Sequence, residues 1–71
     1  MDDQNERLAN LVKGTQMCCR VDKSEPGGYE VEFNDYPVKG FLPTIKELKC
    51  NDKLEVCFIC MFNGRMLVTL S

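Results

Sequence analysis

Five thiols are the most reactive groups in this sequence: Cys18, Cys19, Cys50, Cys57 and Cys60. An odd number fits a reducing compartment better than a closed set of disulfides. Cys57-Phe58-Ile59-Cys60 has the spacing of a zinc or redox motif. On an extended strand, however, residues three apart point to opposite faces, so these two sulfurs do not chelate one ion. Cys18-Cys19 meets the same obstacle. Redox catalysis by a C-x-x-C pair wants its first thiol at a helix amino terminus, and this segment reads as strand. Cys19 and Cys60 are therefore expected as small core hydrophobes and the others as half-exposed thiols. No metal, disulfide or cofactor is called for. The chain has no histidine, so Ser/His and Cys/His nucleophile pairs cannot be built and the commonest general base is missing. No enzyme is expected.

Binding chemistry remains. Tyr29 and Phe41 offer rings in strand-like surroundings, and Lys39, Arg65, Arg20 and Lys53 are the cations expected on or beside the same sheet. Stacking on a ring combined with phosphate contact is how single strands are commonly held. The competing reading is structural. Aromatic residues at strand positions mostly pack, and a scattered surface lysine is normally just solvated. Net charge also opposes a role resting on phosphate neutralisation, at −2 with a pI of about 5.0, because domains of that kind are usually basic.

The elements that must position these residues are short strands bounded by turns. Residues 1–13 read as a polar leader, either frayed or forming a short helical turn over Arg7 to Val12. Alternation then sets in. Thr15 to Val21 places Met17, Cys19 and Val21 on one side, and Asp22 to Gly28 is rich in turn residues. Tyr29, Val31 and Phe33 alternate with Glu30 and Glu32, the period of a half-buried strand. Val38 to Leu42 is a third strand, ended by Pro43, which has no N–H for a sheet ladder. Thr44 to Asp52 is a charged connection with one helical turn at Ile45 to Leu48. Lys53 to Phe62 is the longest strand, with Leu54, Val56, Phe58, Cys60 and Phe62 sharing a side. Asn63-Gly64 matches a two-residue hairpin turn, and Arg65 to Leu70 closes the chain. The predicted core is Met17, Val21, Val31, Phe33, Leu42, Leu54, Val56, Phe58, Val68 and Leu70. Five short strands at regular spacing predict a small closed or partly closed barrel, since closure hides the sheet edges.

Five stretches in order carry a family resemblance. Gly28-Tyr29-Glu30-Val31-Glu32-Phe33 followed by Gly40-Phe41-Leu42-Pro43 resembles the GG-aromatic-x-V … G-F-L-P stretch of the S-one RNA-binding domain. Gly14-Thr15-Gln16-Met17 resembles its opening. Asn51-Asp52-Lys53-Leu54-Glu55-Val56 resembles the start of its fourth strand, and Arg65 to Ser71 its closing R-x-x-V-x-L-S. The resemblance covers residues 14–71 and implies an all-β fold, a small five-stranded antiparallel OB-fold barrel. It also implies that the third and fifth strands pair, bringing Lys39 and Arg65 together. The sequence departs from the family where Cys19 and Asn51 replace glycine and Ile45 replaces serine. Glu30 stands where many members carry an exposed aromatic, and Glu32 beside it adds a second carboxylate that repels phosphate.

The expected function is a non-catalytic single-stranded RNA-binding module of modest affinity and low sequence specificity. Its binding residues would be Tyr29, Lys39, Phe41, Arg65, Arg20 and Lys53. The competing class is a protein-interaction module using the acidic outer face of the same barrel. No apolar run approaches the ~20 residues of a membrane-spanning helix, and no signal or transit peptide is read at the amino terminus. A cytosolic monomer is expected.

Overall fold

The computed structural model describes residues 11–71, and among these there is no helix. The strands are β1 (Gln16–Glu25), β2 (Gly28–Phe33), β3 (Lys39–Pro43), β4 (Lys53–Phe62) and β5 (Arg65–Leu70). Neighbours run β1-β2-β3-β5-β4 and return to β1, so the sheet is a closed barrel, an arrangement compatible with the OB-fold. Most of the leader, including the expected helical turn at Arg7 to Val12, lies outside the described residues.

The wholly antiparallel barrel expected from sequence is corrected at one seam. β3 and β5 run parallel, with Gly40 beside Met66 and Phe41 beside Leu67, while the other four pairings are antiparallel. The reason is topological. Strand directions cannot alternate all the way around a ring of five, so one pairing must be parallel.

The first strand is longer than its polarity suggests. Lys23, Ser24 and Glu25 pair with Glu30, Tyr29 and Gly28, and a register shift between Val21 and Lys23 absorbs Asp22. Only Pro26-Gly27 turns, with Gly27 at φ 87°. Backbone pairing holds this run while Lys23 and Ser24 stay exposed and only Glu25 is half-buried, so its composition resembles a turn. At Asn63-Gly64 the φ values of 52° and 77° are those of the expected tight hairpin.

The interior is built from Met17, Cys19, Val21, Val31, Phe33, Leu42, Val56, Phe58, Met66 and Val68. Leu54 and Leu70 pack against it half-buried. Two glycines set how closely the strands approach. A Cβ on Gly28 would lie 2.1 Å from the Leu42 carbonyl oxygen, and one on Gly40 would lie 2.6 Å from the Phe33 ring. Those spacings leave no room for any larger residue.

A second register shift, between Phe58 and Cys60, changes β4 more than any other feature. Phe58 faces Val68, but Cys60 faces Leu67 and Phe62 faces Arg65. An extra residue in one strand reverses the inward–outward order beyond it. Cys60 and Phe62, expected on the same side as Phe58, are therefore exposed. Cys60 is not a core residue.

The connection from Thr44 to Asp52 does not contain the expected helical turn. Its N–H groups are engaged elsewhere. Lys46 N–H donates to Thr44 Oγ1 at 3.1 Å, and Leu48 N–H to the Tyr29 hydroxyl at 3.0 Å. Further along, Asn51 N–H donates to the Val21 carbonyl at 2.8 Å, with Asn51 at φ 71°.

Candidate nucleic-acid interface

Phe41 lies on the outer face of β3, opposite Glu30 of β2 and Leu67 of β5. Its neighbours Gly40 and Leu42 point inward and are buried, so the ring must face out and is half-buried. Arg65, at the start of β5, lies across it, with the guanidinium carbon 5.2 Å from the ring centroid. The far side of that guanidinium is anchored. Arg65 Nη1 donates to Glu25 Oε1 at 2.9 Å and Oε2 at 3.0 Å, and approaches Glu30 Oε2 at 3.5 Å. One arginine thus spans from β5 over the β3 ring to β1 and β2. Beside it, Phe41, Phe62, Arg65, Met66 and Leu67 line an open cleft of about 130 Å³.

The neighbouring charges form a separate lattice. Glu32 stands between Arg20 of β1 and Lys39 of β3 in the strand registers. Arg20 Nη2 donates to Glu32 Oε2 at 2.7 Å; Lys39 Nζ reaches Glu32 Oε1, and also Asp22 Oδ2 at 3.3 Å. The Lys39 ammonium, followed by Arg20, holds the Glu32 carboxyl below its ordinary 4.5. Asp22 is held below 3.8 chiefly by Lys39, and Lys39 in turn is raised above 10.5, chiefly by Glu32.

The six residues singled out in the sequence therefore do not converge. Phe41 and Arg65 meet. Lys39 begins the strand paired with Arg65's strand, yet its ammonium turns to Glu32 and Asp22. Arg20 and Lys53 face each other across β1 and β4, in a cleft of about 250 Å³ that also takes in Cys18, Asn34, Leu54 and Glu55. Among the described residues, Lys53 alone of these four cations lacks an ion pair. Tyr29 points inward opposite Leu42 and fastens the long connection through its hydroxyl.

Two residues around Phe41 and Arg65 were missed in the sequence. Glu25 was hidden in a run that reads as turn, and Phe62 was placed on the wrong side because nothing local announces the bulge. The thiols are dispersed. Cys18, Cys50 and Cys60 are exposed, and Cys19 is buried. Burial, then the neighbouring Cys18, pushes the Cys19 thiol up to about 11. No cluster of three or more Cys, Asp or Glu among the described residues is placed to hold a metal ion.

The fold and this face define a class: a small closed β-barrel with a ring-and-arginine platform on its outer surface. Compared with models of known protein families and with curated proteins, the sequence matches none.

Proposed function

We propose that this barrel is a non-catalytic module that binds single-stranded RNA through stacking, with modest affinity and low sequence specificity. The observation that carries the reading is the Phe41 ring, outward on β3 beneath the Arg65 guanidinium. Barrels of OB type use the outer face of their second and third strands for oligonucleotides, and Phe41 sits on that face. A base stacks on a ring or on an arginine plane, and every base has a π-face, which makes such contacts tolerant of sequence. The resemblance to the S-one RNA-binding domain agrees, its G-F-L-P stretch supplying Phe41 itself. Because most nearby cations are already paired, log affinity should fall only shallowly with log salt, as for roughly two or three phosphate contacts.

The test is a titration with single-stranded oligoribonucleotides at low salt, read by amide chemical shifts. Resonances of β2, β3 and β5 should move, and duplex RNA should bind less well. A spectrum unchanged at millimolar RNA would falsify the reading.

A second reading is favoured by a specific observation. Arg20, Lys39 and Arg65 are each engaged by carboxylates, while Phe62, which lines the Phe41 cleft, is 63% exposed. Exposed apolar side chains rimmed by neutralised charge suit a protein surface better than a phosphate backbone. If RNA leaves the spectrum unchanged, a protein partner on the same face replaces it.

A further inference from the structure

We propose that Glu25 is the gate of the Phe41 platform: it latches Arg65 across the ring, and an RNA phosphodiester takes its place on binding. The inference rests on the RNA reading and names the residue that controls it. Its basis is the span of Arg65. A guanidinium 5.2 Å from the Phe41 centroid lies over the ring and occupies a face on which a base would stack. It is held there by both oxygens of Glu25, at 2.9 and 3.0 Å, with Glu30 farther away at 3.5 Å. The Arg65 and Glu25 side chains are 33% and 21% exposed, so the pair is open to competition from solution.

A phosphodiester presents two anionic oxygens to a guanidinium much as a carboxylate does. Exchange of one for the other leaves Arg65 charged and paired while releasing it from its post over the ring. The latch also accounts for the absence of a free cation at this platform among the described residues. Wild-type RNA binding must break an ion pair for each one it makes at Arg65, so the salt dependence stays shallow. Glu25 is suited to this role by position, since it ends β1 next to the Pro26-Gly27 turn and is not part of the hydrophobic core.

The test compares Glu25→Gln with Glu32→Gln. Each removes one negative charge, but only the first touches Arg65. Two readouts are followed: the Arg65 side-chain Nε–Hε resonance without RNA, and the affinity for a single-stranded oligoribonucleotide across a salt series. Glu25→Gln should shift the Arg65 resonance and tighten binding by about two- to five-fold, as for an ion pair only half-shielded from solvent. It should also steepen the salt dependence by about one contact. Glu32→Gln should leave Arg65 unmoved and tighten binding less. An Arg65 resonance unaffected by Glu25→Gln overturns the latch, and equal tightening by both variants reduces the effect to net charge. If neither protein binds RNA while Arg65 is still released in Glu25→Gln, the phosphodiester exchange and the RNA reading fall together and only the latch remains.

Discussion

Two adjacent regions of the outer surface use the same residue types and arrive at different chemistry. Around Glu32, cations and carboxylates alternate across β1, β2 and β3 with their charged atoms in solvent. Around Phe41, a single arginine is laid over an aromatic ring and tied down at its far end. The first region is a lattice of exposed pairs, each contributing little and weakened by salt. The second adds a cation–π contact and a half-shielded two-oxygen anchor, which fix an arginine in one place. What separates them is the residue under the cation. Charge pairing at a surface organises little until a ring or an apolar floor limits where the side chain can go.

The largest expected effect tests whether both regions share one interior. Phe58→Ala should lower stability by about 3–5 kcal/mol, because it empties a buried site on β4. Denaturant unfolding followed at amides near Phe41 and near Arg20 should give one midpoint. Separate midpoints would mean that the regions are independently held and the comparison is void.

Next comes the ring. Phe41→Leu keeps an apolar side chain and removes the π-face, and should weaken RNA binding about five-fold or more. Lys39→Gln, made in the neighbouring lattice, should change affinity by less than about two-fold. If the two variants weaken binding equally, stacking is not what distinguishes the Phe41 region. Charge reversal is subtler. Glu30→Lys, beside the ring, should tighten binding more than Glu32→Lys does, since each exchanges repulsion for attraction but at different distances from the platform. The reverse order, read from the same titrations, would move the RNA path onto the lattice.

The smallest effect is on the lattice itself. Asp22 and Glu32 are held below their ordinary values of 3.8 and 4.5 by Lys39. Carboxyls lowered in this way favour the folded state above those ordinary values, and the contribution disappears as pH falls through the lowered ones. Stability should therefore drop below about pH 4.5, and by less in Lys39→Gln than in the parent protein. Lys39, raised above 10.5, works in the opposite sense, and its contribution is lost only as alkaline pH passes that raised value. Denaturant midpoints from pH 2 to 6 decide the acid limb; identical profiles for parent and variant would show that the lattice couples nothing.

Much of the barrel was legible in the linear pattern, and several of the exceptions share a cause. Tyr29-Glu30-Val31-Glu32-Phe33 alternates so strictly that its faces follow from the chain alone, and Asn63-Gly64 announces its turn. The residues assigned to the wrong face or to a turn lie at or beyond the two bulges. Lys23 to Glu25 pair past the first, and Cys60 and Phe62 are reversed by the second. A bulge arises from how two strands meet and leaves no mark in the composition of either one.

The chain alone set the number of strands and the interior side of most of them. These depend on local periodicity and residue type, which the chain carries everywhere. The parallel seam, the outward turn of Phe62 and the path of Arg65 over Phe41 to Glu25 were decided only in the closed barrel. Closure of an odd ring forces one parallel pairing. It is that pairing of β3 with β5 that brings residues 41 and 65 together, while hairpin pairing of β1 with β2 brings residue 25 within reach. Contacts between residues so far apart in sequence are set by register and topology, and neither is written in any one strand.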